Sequence, residues 1–268
     1  MSSLCICNEP VCSCVKDTPA HQQEMMKACE TGDVSRLRGL FDAAGVTRGD
    51  NATQRAVDPI YHSGPPATSD MIHIAVTHNQ PAILRLLLDC YPNADVSQIS
   101  LLGSECANPD LPTLKVLHSH DPSIVNYAWD EKGLDTLLED YCRSGDAQLS
   151  QFLLENGANP NGAGPPSPTS PLRIAITSDQ PPSLISKLIR CGAQVHSIDV
   201  MYAMRRRDSE ITKLLLRVCR WDDYGTPSDF LENALEDAYQ TKDKEIISLM
   251  KQCMTNGRAR KKWWHIWN

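Results

Sequence analysis

The side chains best suited to chemistry lie near the start of the sequence, where cysteines form two CxC pairs. They are Cys5, Cys7, Cys12 and Cys14. Paired thiolates are good ligands for soft metals such as Zn²⁺ or Cu(I). The usual zinc frameworks space paired cysteines as CxxC, however, and no histidine follows closely here. We therefore assign no metal site and interpret residues 1–20 as a flexible, cysteine-rich tail with oxidisable thiols.

Histidines and carboxylates elsewhere do not match a known catalytic pattern. His118 and His120 could share one helix face near Asp121, but a lone His-x-His pair is a weak metal signature. Asp135 and Glu139 suit solvated or capping roles. The sequence has no GxxxxGK[ST] phosphate loop, no HExxH and no GxSxG. We predict a protein that is not an enzyme, with no catalytic residues, no cofactor and no metal.

The charge balance argues against direct binding of nucleic acid by the body of the protein. The 268 residues include 26 Lys and Arg against 33 Asp and Glu, a net charge of −7. Phosphate binding needs a positive face, so we expect no direct DNA binding, although a local basic patch is compatible with this balance. The hydrophobic fraction of 41% is enough to bury a core.

Cysteine usage and the absence of targeting signals favour an intracellular protein. The N-terminal region has no basic run followed by an apolar one, so we expect no signal peptide. No apolar run is long enough for a membrane span. The eleven cysteines are an odd number, which favours reduced, mostly buried thiols over a disulfide framework. Six lie isolated in helix-like sequence: Cys29, Cys90, Cys142, Cys191, Cys219 and Cys253. We expect the protein in the cytoplasm, the nucleus or both.

The stretch 136–161 shows which elements would hold this chain together. Residues 136–144 read as a short helix, which Gly145 would end in the left-handed conformation. The Asp146 carboxylate can cap the next helix, and Gly157 would end that helix in the same way. Helices of about ten residues are marginal alone in water. This pair must therefore pack against copies of itself.

Copies of the helix pair recur along the chain. When each first helix is aligned on one small or aromatic residue, successive spacings are 47, 66, 34, 28 and 35 residues. The aligned residues are Ala28, Ala75, Tyr141, Ala175, Ala203 and Ala238. The gap of 66 residues is two units, with a weak repeat near 98–125, and the gap of 47 is one unit plus an insertion.

The turn glycine is replaced in four of these copies. Asn79 and Asp179 tolerate the left-handed region. Arg207 and Lys242 would adopt it only at a cost of about 1–2 kcal/mol, so we expect loosened or re-routed turns there.

A period near 33 residues with two short helices resembles the ankyrin repeat. The matching fragments recur in register: Ile72-His73, Gly145-Asp146, Leu153-Leu154, Gly157-Ala158-Asn159-Pro160-Asn161 and Ser170-Pro171-Leu172. The resemblance covers residues 22–256. It implies an all-α solenoid of about seven helix-turn-helix repeats, assigned here to residues 21–256, with His73 at the family's buried, hydrogen-bonding position. In such an array the terminal units must show a polar outer face. Lys27, Glu30 and Arg36 could provide it at one end, and Lys242, Lys244, Glu245 and Lys251 at the other.

The ankyrin resemblance also implies a function. It indicates a non-enzymatic adaptor or regulator, monomeric by itself, that recognises a partner protein through its concave face and finger loops. Co-regulation of transcription is one such role, as in inhibitors of Rel-type factors and in ankyrin proteins that accompany fungal metabolite gene clusters. Some of the latter carry a basic DNA-contacting segment before the repeats, which residues 1–35 lack. Action on transcription would therefore require a partner such as a transcription factor. An enzyme or accessory subunit with an unmotifed site is an alternative.

Three stretches are predicted to contact the partner, because Trp, Tyr and Arg dominate binding hot spots. They contain Trp129, Asp130 and Lys132 in one finger, Trp221 and Tyr224 in another, and Arg205 and Arg206 in a basic turn. Alternatively, the two tryptophans fold back over adjacent helices and the basic turn is solvated. The Pro- and Gly-rich insertions 45–68 and 161–168 are loops, either tolerated on the surface or used as a lip for the partner.

The segment 257–268 combines cations with tryptophans. Its most distinctive residues are Arg260, Lys261, Lys262, Trp263 and Trp264. Docking of the tryptophans on the last repeat is one interpretation. A partner contact or nuclear import signal is another. Binding to an anionic membrane surface, which would make the protein a membrane-surface adaptor, is a third.

Overall fold

The fold is all-α, as predicted. A computed structural model describes residues 19–53, 64–96, 109–127, 136–163, 170–219 and 228–264, and the regular elements in these ranges are helices. No helix among them is long and apolar enough to cross a bilayer. The chain divides into two compact units, Met1–Lys132 and Gly133–Asn268.

The first unit consists of helix pairs that stack on each other. Its helices are α1 (Ala20–Thr31), α2 (Val34–Ala44), α3 (Thr68–Thr77), α4 (Pro81–Cys90) and α5 (Leu111–His120), followed by a 3₁₀ helix, Pro122–Asn126. The first helices α1 and α3 pack against each other, as do the second helices α2 and α4, and α5 packs on α4. In the weak repeat near 98–125, residues 98–108 lie outside the described part, while α5 matches the expected second helix.

The second unit repeats the same arrangement. Its helices are α6 (Leu137–Ser144), α7 (Ala147–Glu155), α8 (Pro171–Thr177), α9 (Pro182–Arg190), α10 (Ser197–Arg205), α11 (Ser209–Val218), α12 (Ser228–Gln240) and α13 (Lys244–Trp264). The first helices α6, α8, α10 and α12 pack in one row. The second helices α7, α9, α11 and α13 pack in another. Each pair therefore buries its apolar side against the next pair.

The turn inside each pair has one geometry throughout. The residue four positions after the aligned residue has a positive φ: 77° at Gly32, 51° at Asn79, 91° at Gly145, 60° at Asp179, 57° at Arg207 and 58° at Lys242. Our expectation of re-routed turns at Arg207 and Lys242 is therefore wrong. Backbone hydrogen bonds explain the outcome, because Arg207 N donates to Met204 O at 2.9 Å and Lys242 N donates to Tyr239 O at 3.1 Å.

Aspartates placed directly after these turns begin the second helices. The Asp146 carboxylate accepts a hydrogen bond from Leu149 N at 2.9 Å, which confirms the predicted cap. Asp208 caps α11 in the same way through Ile211 N, at 3.0 Å. The first helix α6 instead begins with a capping box, in which Glu139 accepts a hydrogen bond from Thr136 N. Each cap satisfies backbone N–H groups that have no partner within their helix.

The base of the long insertion 45–68 is fixed to the body of the first unit. Thr53 and Thr68 join its two ends, because Thr68 N donates to Thr53 O at 3.0 Å and Thr53 N donates to Thr68 Oγ1 at 2.9 Å. Gln22 Nε2 on α1 donates to Gly64 O at 3.0 Å. Residues 54–63 between these anchors lie outside the described part. The insertion therefore leaves the body and returns to it at one defined place.

The first and last pairs carry polar side chains at positions that other pairs bury. Glu24 and Arg36 are exposed and form an ion pair at 2.6 Å, whereas the equivalent Met71 and Ile83 are fully buried. At the other end, Lys251 lies 5.3 Å from the centroid of the Tyr239 ring. The prediction of a polar outer face holds at Arg36 and Lys251, both of which are exposed.

The six cysteines in the described residues are free thiols with different accessibility. Cys29, Cys90 and Cys142 are buried, Cys219 and Cys253 are half-buried, and Cys191 is exposed. Burial raises the pKa of Cys29 to about 12 and that of Cys142 to about 12. The expectation of mostly buried thiols thus holds for three of the six.

We expect a maleimide reagent at neutral pH to modify Cys191 well before Cys29 or Cys142. The exposed thiol is accessible, whereas the buried ones are shielded and hold almost no reactive thiolate. Peptide mass spectrometry after timed quenching would measure the rates, with the same reaction in urea as the control. Equal rates at Cys29 and Cys191 in the native protein would contradict the packing described here.

Glycine substitution should test the strain in the left-handed turns. We expect Arg207→Gly and Lys242→Gly each to raise the free energy of unfolding by about 0.5–1 kcal/mol. The relieved strain of about 1–2 kcal/mol is partly offset by the greater freedom of glycine in the unfolded chain. Asn79→Gly is the matched control and should gain less. Urea unfolding measures the change, and a loss of stability in both variants would show that these turns are not strained.

Candidate protein-binding surface

Only two of the seven residues predicted in the finger loops and basic turn lie in the described part of the chain. Arg205 ends α10 and Arg206 follows it. Five others lie outside the described residues: Trp129, Asp130, Lys132, Trp221 and Tyr224. The backbone of the predicted tail residues Arg260, Lys261, Lys262, Trp263 and Trp264 continues helix α13. The domain that ends at residue 256 and the tail that begins at 257 therefore share one helix.

Both arginines of the basic turn have aspartate partners on neighbouring helix pairs. Arg206 pairs with Asp179 in the turn between α8 and α9. Arg205 Nε lies 3.5 Å from Asp237 Oδ2 on α12. The side chain of Arg205 is nevertheless 62% exposed, and that of Arg206 is 24% exposed. Arg205 can therefore meet a partner while it is oriented by Asp237, and Arg206 serves mainly to join two helix pairs.

A buried ion pair fixes α10 against α8. The Asp199 side chain is 0% exposed and accepts a hydrogen bond from Arg173 Nε at 2.9 Å. Its other carboxylate oxygen accepts from His196 N at 2.8 Å, at the start of α10. Burying a charge is costly unless it is paired and hydrogen-bonded, and here both oxygens have donors. Because Arg205 lies at the far end of the same helix, this pair also positions it.

One side of the first-helix row in the second unit remains open to solvent. We define the first-helix face by the positions one residue before and two residues after the aligned residue. Apart from Ile174, which is buried, these positions are Asp140, Arg143, Thr177, Tyr202, Arg205, Asp237 and Gln240. These seven side chains are exposed or half-buried. The aligned residues are buried, and so are the residues that directly follow them in α6, α8 and α10. The buried positions are chemically similar from pair to pair, and those of the first-helix face differ.

The first-helix face carries charges of both signs, two arginines and two aspartates. Arg143 pairs with Asp140 on its own helix, and Arg205 pairs with Asp237 on the next first helix. Tyr202 lies half-buried between them along the row. Exposed pairs of this kind contribute little to stability, about 0–1 kcal/mol. Their charges therefore remain available for recognition of a partner.

The second-helix row is also linked by ion pairs. Lys213 Nζ on α11 lies 2.9 Å from Asp243 Oδ2, just before α13. Its hydrogen bond lowers the pKa of Asp243, and the same bond raises the pKa of Lys213. Lys187 on α9 reaches Glu155 on α7 at 3.1 Å. Lys187 and Lys213 thus each pair with a carboxylate of a neighbouring helix pair.

The histidine pair considered as a metal ligand serves the fold. His120 Nε2 lies 3.1 Å from Ala94 O, and His118 is half-buried on α5. The hydrogen bond from the Ser123 hydroxyl lowers the pKa of Asp121, which also caps the 3₁₀ helix. Within the described ranges, no group of three or more His, Cys, Asp or Glu is placed to hold a metal. The CxC cysteines at 5–14 lie outside those ranges, and His73, expected to be buried, is half-buried.

Sequence reasoning missed the Arg173–Asp199 pair and the contact between Lys251 and Tyr239. Arg173 and Asp199 are 26 residues apart, so no local motif marks them. The sequence does contain a signal for each contact. Asp199 and Lys251 are charged, whereas most other repeats have an apolar residue at the equivalent helix position. Comparison of equivalent positions across the repeats could have found both contacts.

No protein-family model matches the chain, and no curated protein matches it significantly in sequence. The resemblance to ankyrin repeats therefore rests on the residues of this chain, and no activity is carried over from a relative.

We expect Arg173→Ala to lower the free energy of unfolding by about 3 kcal/mol, because it leaves the buried Asp199 carboxylate without its cation. Lys187→Ala is the matched control, which removes a cation from a more exposed pair and should cost less than about 1 kcal/mol. Urea unfolding of both variants would measure the difference. Equal losses would mean that Asp199 does not depend on Arg173.

Proposed function

We propose that this protein is a non-enzymatic protein-interaction module built from ankyrin-like repeats. One observation carries the proposal: the buried positions of successive helix pairs are alike, whereas the first-helix face differs from pair to pair. A scaffold of this kind positions varied side chains at regular intervals without changing its core. The proposal therefore assigns binding to the first-helix face and the finger loops beside it.

The ankyrin-like assignment is supported by contacts of Asn161 that span about one period. Asn161 Oδ1 accepts a hydrogen bond from Gln194 N at 2.8 Å, 33 residues further along the chain. Asn161 Nδ2 donates to Gly192 O at 3.2 Å, across 31 residues. These bonds join the end of one repeat to the end of the next. Six helix pairs, together with α5 as the second helix of another, agree with the proposed solenoid of about seven repeats.

The chemistry of the first-helix face suits a protein partner of mixed charge. It presents Arg143 and Arg205 together with Tyr202, and arginine and tyrosine are enriched among residues that dominate binding energy. Asp140 accepts a hydrogen bond from Arg143, which reduces the entropy that this side chain loses on binding, and Asp237 lies 3.5 Å from Arg205 Nε. Trp129 and Trp221, which lie outside the described residues, remain predicted partner contacts on the same ground.

We further propose that the module acts as an adaptor or regulator inside the cell, in the cytoplasm or the nucleus. Its net charge of −7 disfavours direct contact of the body with DNA. Any effect on transcription would then pass through a partner such as a transcription factor. A nuclear pool of the protein, together with a transcription factor among its captured partners, would support that role, and the absence of both would refute it.

Affinity capture with paired variants tests the interaction surface. We expect Arg143→Glu combined with Arg205→Glu to reduce capture of the main partner at least tenfold, since reversal of anchoring charges commonly costs more than 1 kcal/mol. Arg190→Glu combined with Lys244→Glu is the matched control on the second helices and should leave capture unchanged. Trp129→Ala and Trp221→Ala test the fingers in the same way.

Each variant should first be shown to unfold at the wild-type urea midpoint, so that a loss of capture reports on the surface. The capture would be quantified by mass spectrometry against the wild-type protein. If the two arginine substitutions leave the captured partners unchanged while the control removes them, the second-helix row is the binding surface and the proposal is wrong.

A further inference from the structure

Helix α13 is much longer than the second helices beside which it packs. It runs through 21 residues, Lys244–Trp264, whereas the adjacent α11 has 10, Ser209–Val218. The two helices begin at equivalent positions after their turns. Residues 244–253 of α13 therefore match α11, and residues 254–264 continue beyond it. At 1.5 Å per residue, this extension, here called the arm, is about 16 Å long.

The arm reverses the charge of the rest of the chain. Its sequence contains four cations, Arg258, Arg260, Lys261 and Lys262, and no acidic residue. The remaining chain has 26 − 4 = 22 Lys and Arg against 33 Asp and Glu, a net charge of −11. At physiological ionic strength the Debye length is about 8 Å. The far end of an arm about 16 Å long is thus largely screened from the acidic body.

Cations and aromatics follow each other along the arm rather than alternating. The cations span residues 258–262, about 6 Å of helix axis, and Trp263 and Trp264 come next. The sequence continues as His265-Ile266-Trp267-Asn268, which lies outside the described residues. The interfacial layer on each side of a bilayer is about 5–8 Å thick, between water and hydrocarbon. The order of charges and tryptophans along the arm therefore matches the order of layers in a membrane surface.

Two other uses of the arm fit these observations less well. Trp263 lies 12 residues beyond Lys251 on the same helix, about 18 Å along the axis, so the arm leads away from the contact between Lys251 and Tyr239. That placement disfavours closure of the array by Trp263 and Trp264. Single-stranded nucleic acid is usually bound in a positively charged groove lined by aromatic side chains, whereas the arm continues a single helix and its cations precede its tryptophans in sequence.

We propose that the arm is a reversible anchor for a membrane surface rich in anionic lipid. Lys and Arg side chains near such a surface are attracted by its negative potential, and tryptophan favours the interfacial layer. The arm would bring the first-helix face to a membrane without a membrane-spanning segment. This use is separate from the proposed recognition of a protein partner.

Vesicle flotation of the full-length protein tests the anchor. We expect the protein to float with vesicles of phosphatidylserine and phosphatidylcholine, and not with vesicles of phosphatidylcholine alone. Each cation near an anionic membrane surface contributes about 1 kcal/mol, which strengthens partitioning of the protein onto vesicles about fivefold. Arg260→Gln, Lys261→Gln and Lys262→Gln together should therefore weaken it by roughly a hundredfold. Trp263→Ala with Trp264→Ala should also reduce it, and added salt should weaken the wild-type binding.

The control variant also loses three positive charges, but outside the arm, through Lys27→Gln, Arg38→Gln and Lys244→Gln. It should float like the wild-type protein. The proposal would be overturned if the control variant lost flotation as completely as the arm variant. It would also be overturned if the wild-type protein did not float. Binding of polyuridylate by the wild type, without flotation, would assign the arm to nucleic acid instead. Partner capture by the arm variant would show separately whether the proposed function stands.

Discussion

Lateral burial of one short helix pair by the next is the constraint on which the whole structure depends. The seven-residue helix α8 is far below the length at which an isolated helix persists in water. Its core residues Leu172, Ala175 and Ile176 are fully buried, and they achieve this only because α6 and α10 lie on either side. Stability is thus a property of neighbouring pairs rather than of any one element.

This constraint explains where the charged side chains lie. Each pair must remain aligned with its neighbours, and ion pairs between successive pairs help to set that alignment. Asp199 with Arg173 and Lys213 with Asp243 each join two pairs. In the first described pair, α1 and α2, an ion pair between the two helices occupies positions that are apolar in α3 and α4. The same residue types therefore join neighbouring pairs and also link the two helices of one pair.

The sequence was sufficient to predict features that depend on local chemistry. Gly145 with Asp146 marked a helix end and a cap, and both have the expected geometry. The turns at Arg207 and Lys242 were mispredicted because only the strain of a left-handed residue was considered. Backbone hydrogen bonds across each turn stabilise the geometry enough to offset a strain of about 1–2 kcal/mol. The propensity of a single residue is therefore a weak guide where hydrogen bonds within the turn determine the backbone.

The candidate site was less predictable, because exposure depends on packing between distant residues. Arg205 and Arg206 are adjacent in sequence and share a charge, yet Asp237 leaves Arg205 mostly accessible while Asp179 draws Arg206 into a contact between pairs. The partners that distinguish them lie about one repeat away in opposite directions. A recognition surface in such an array consists of the side chains that stay exposed to solvent after neighbouring pairs have packed together. With its side chain 62% exposed, Arg205 fits the proposed binding surface, whereas the less exposed Arg206 mainly joins two helix pairs.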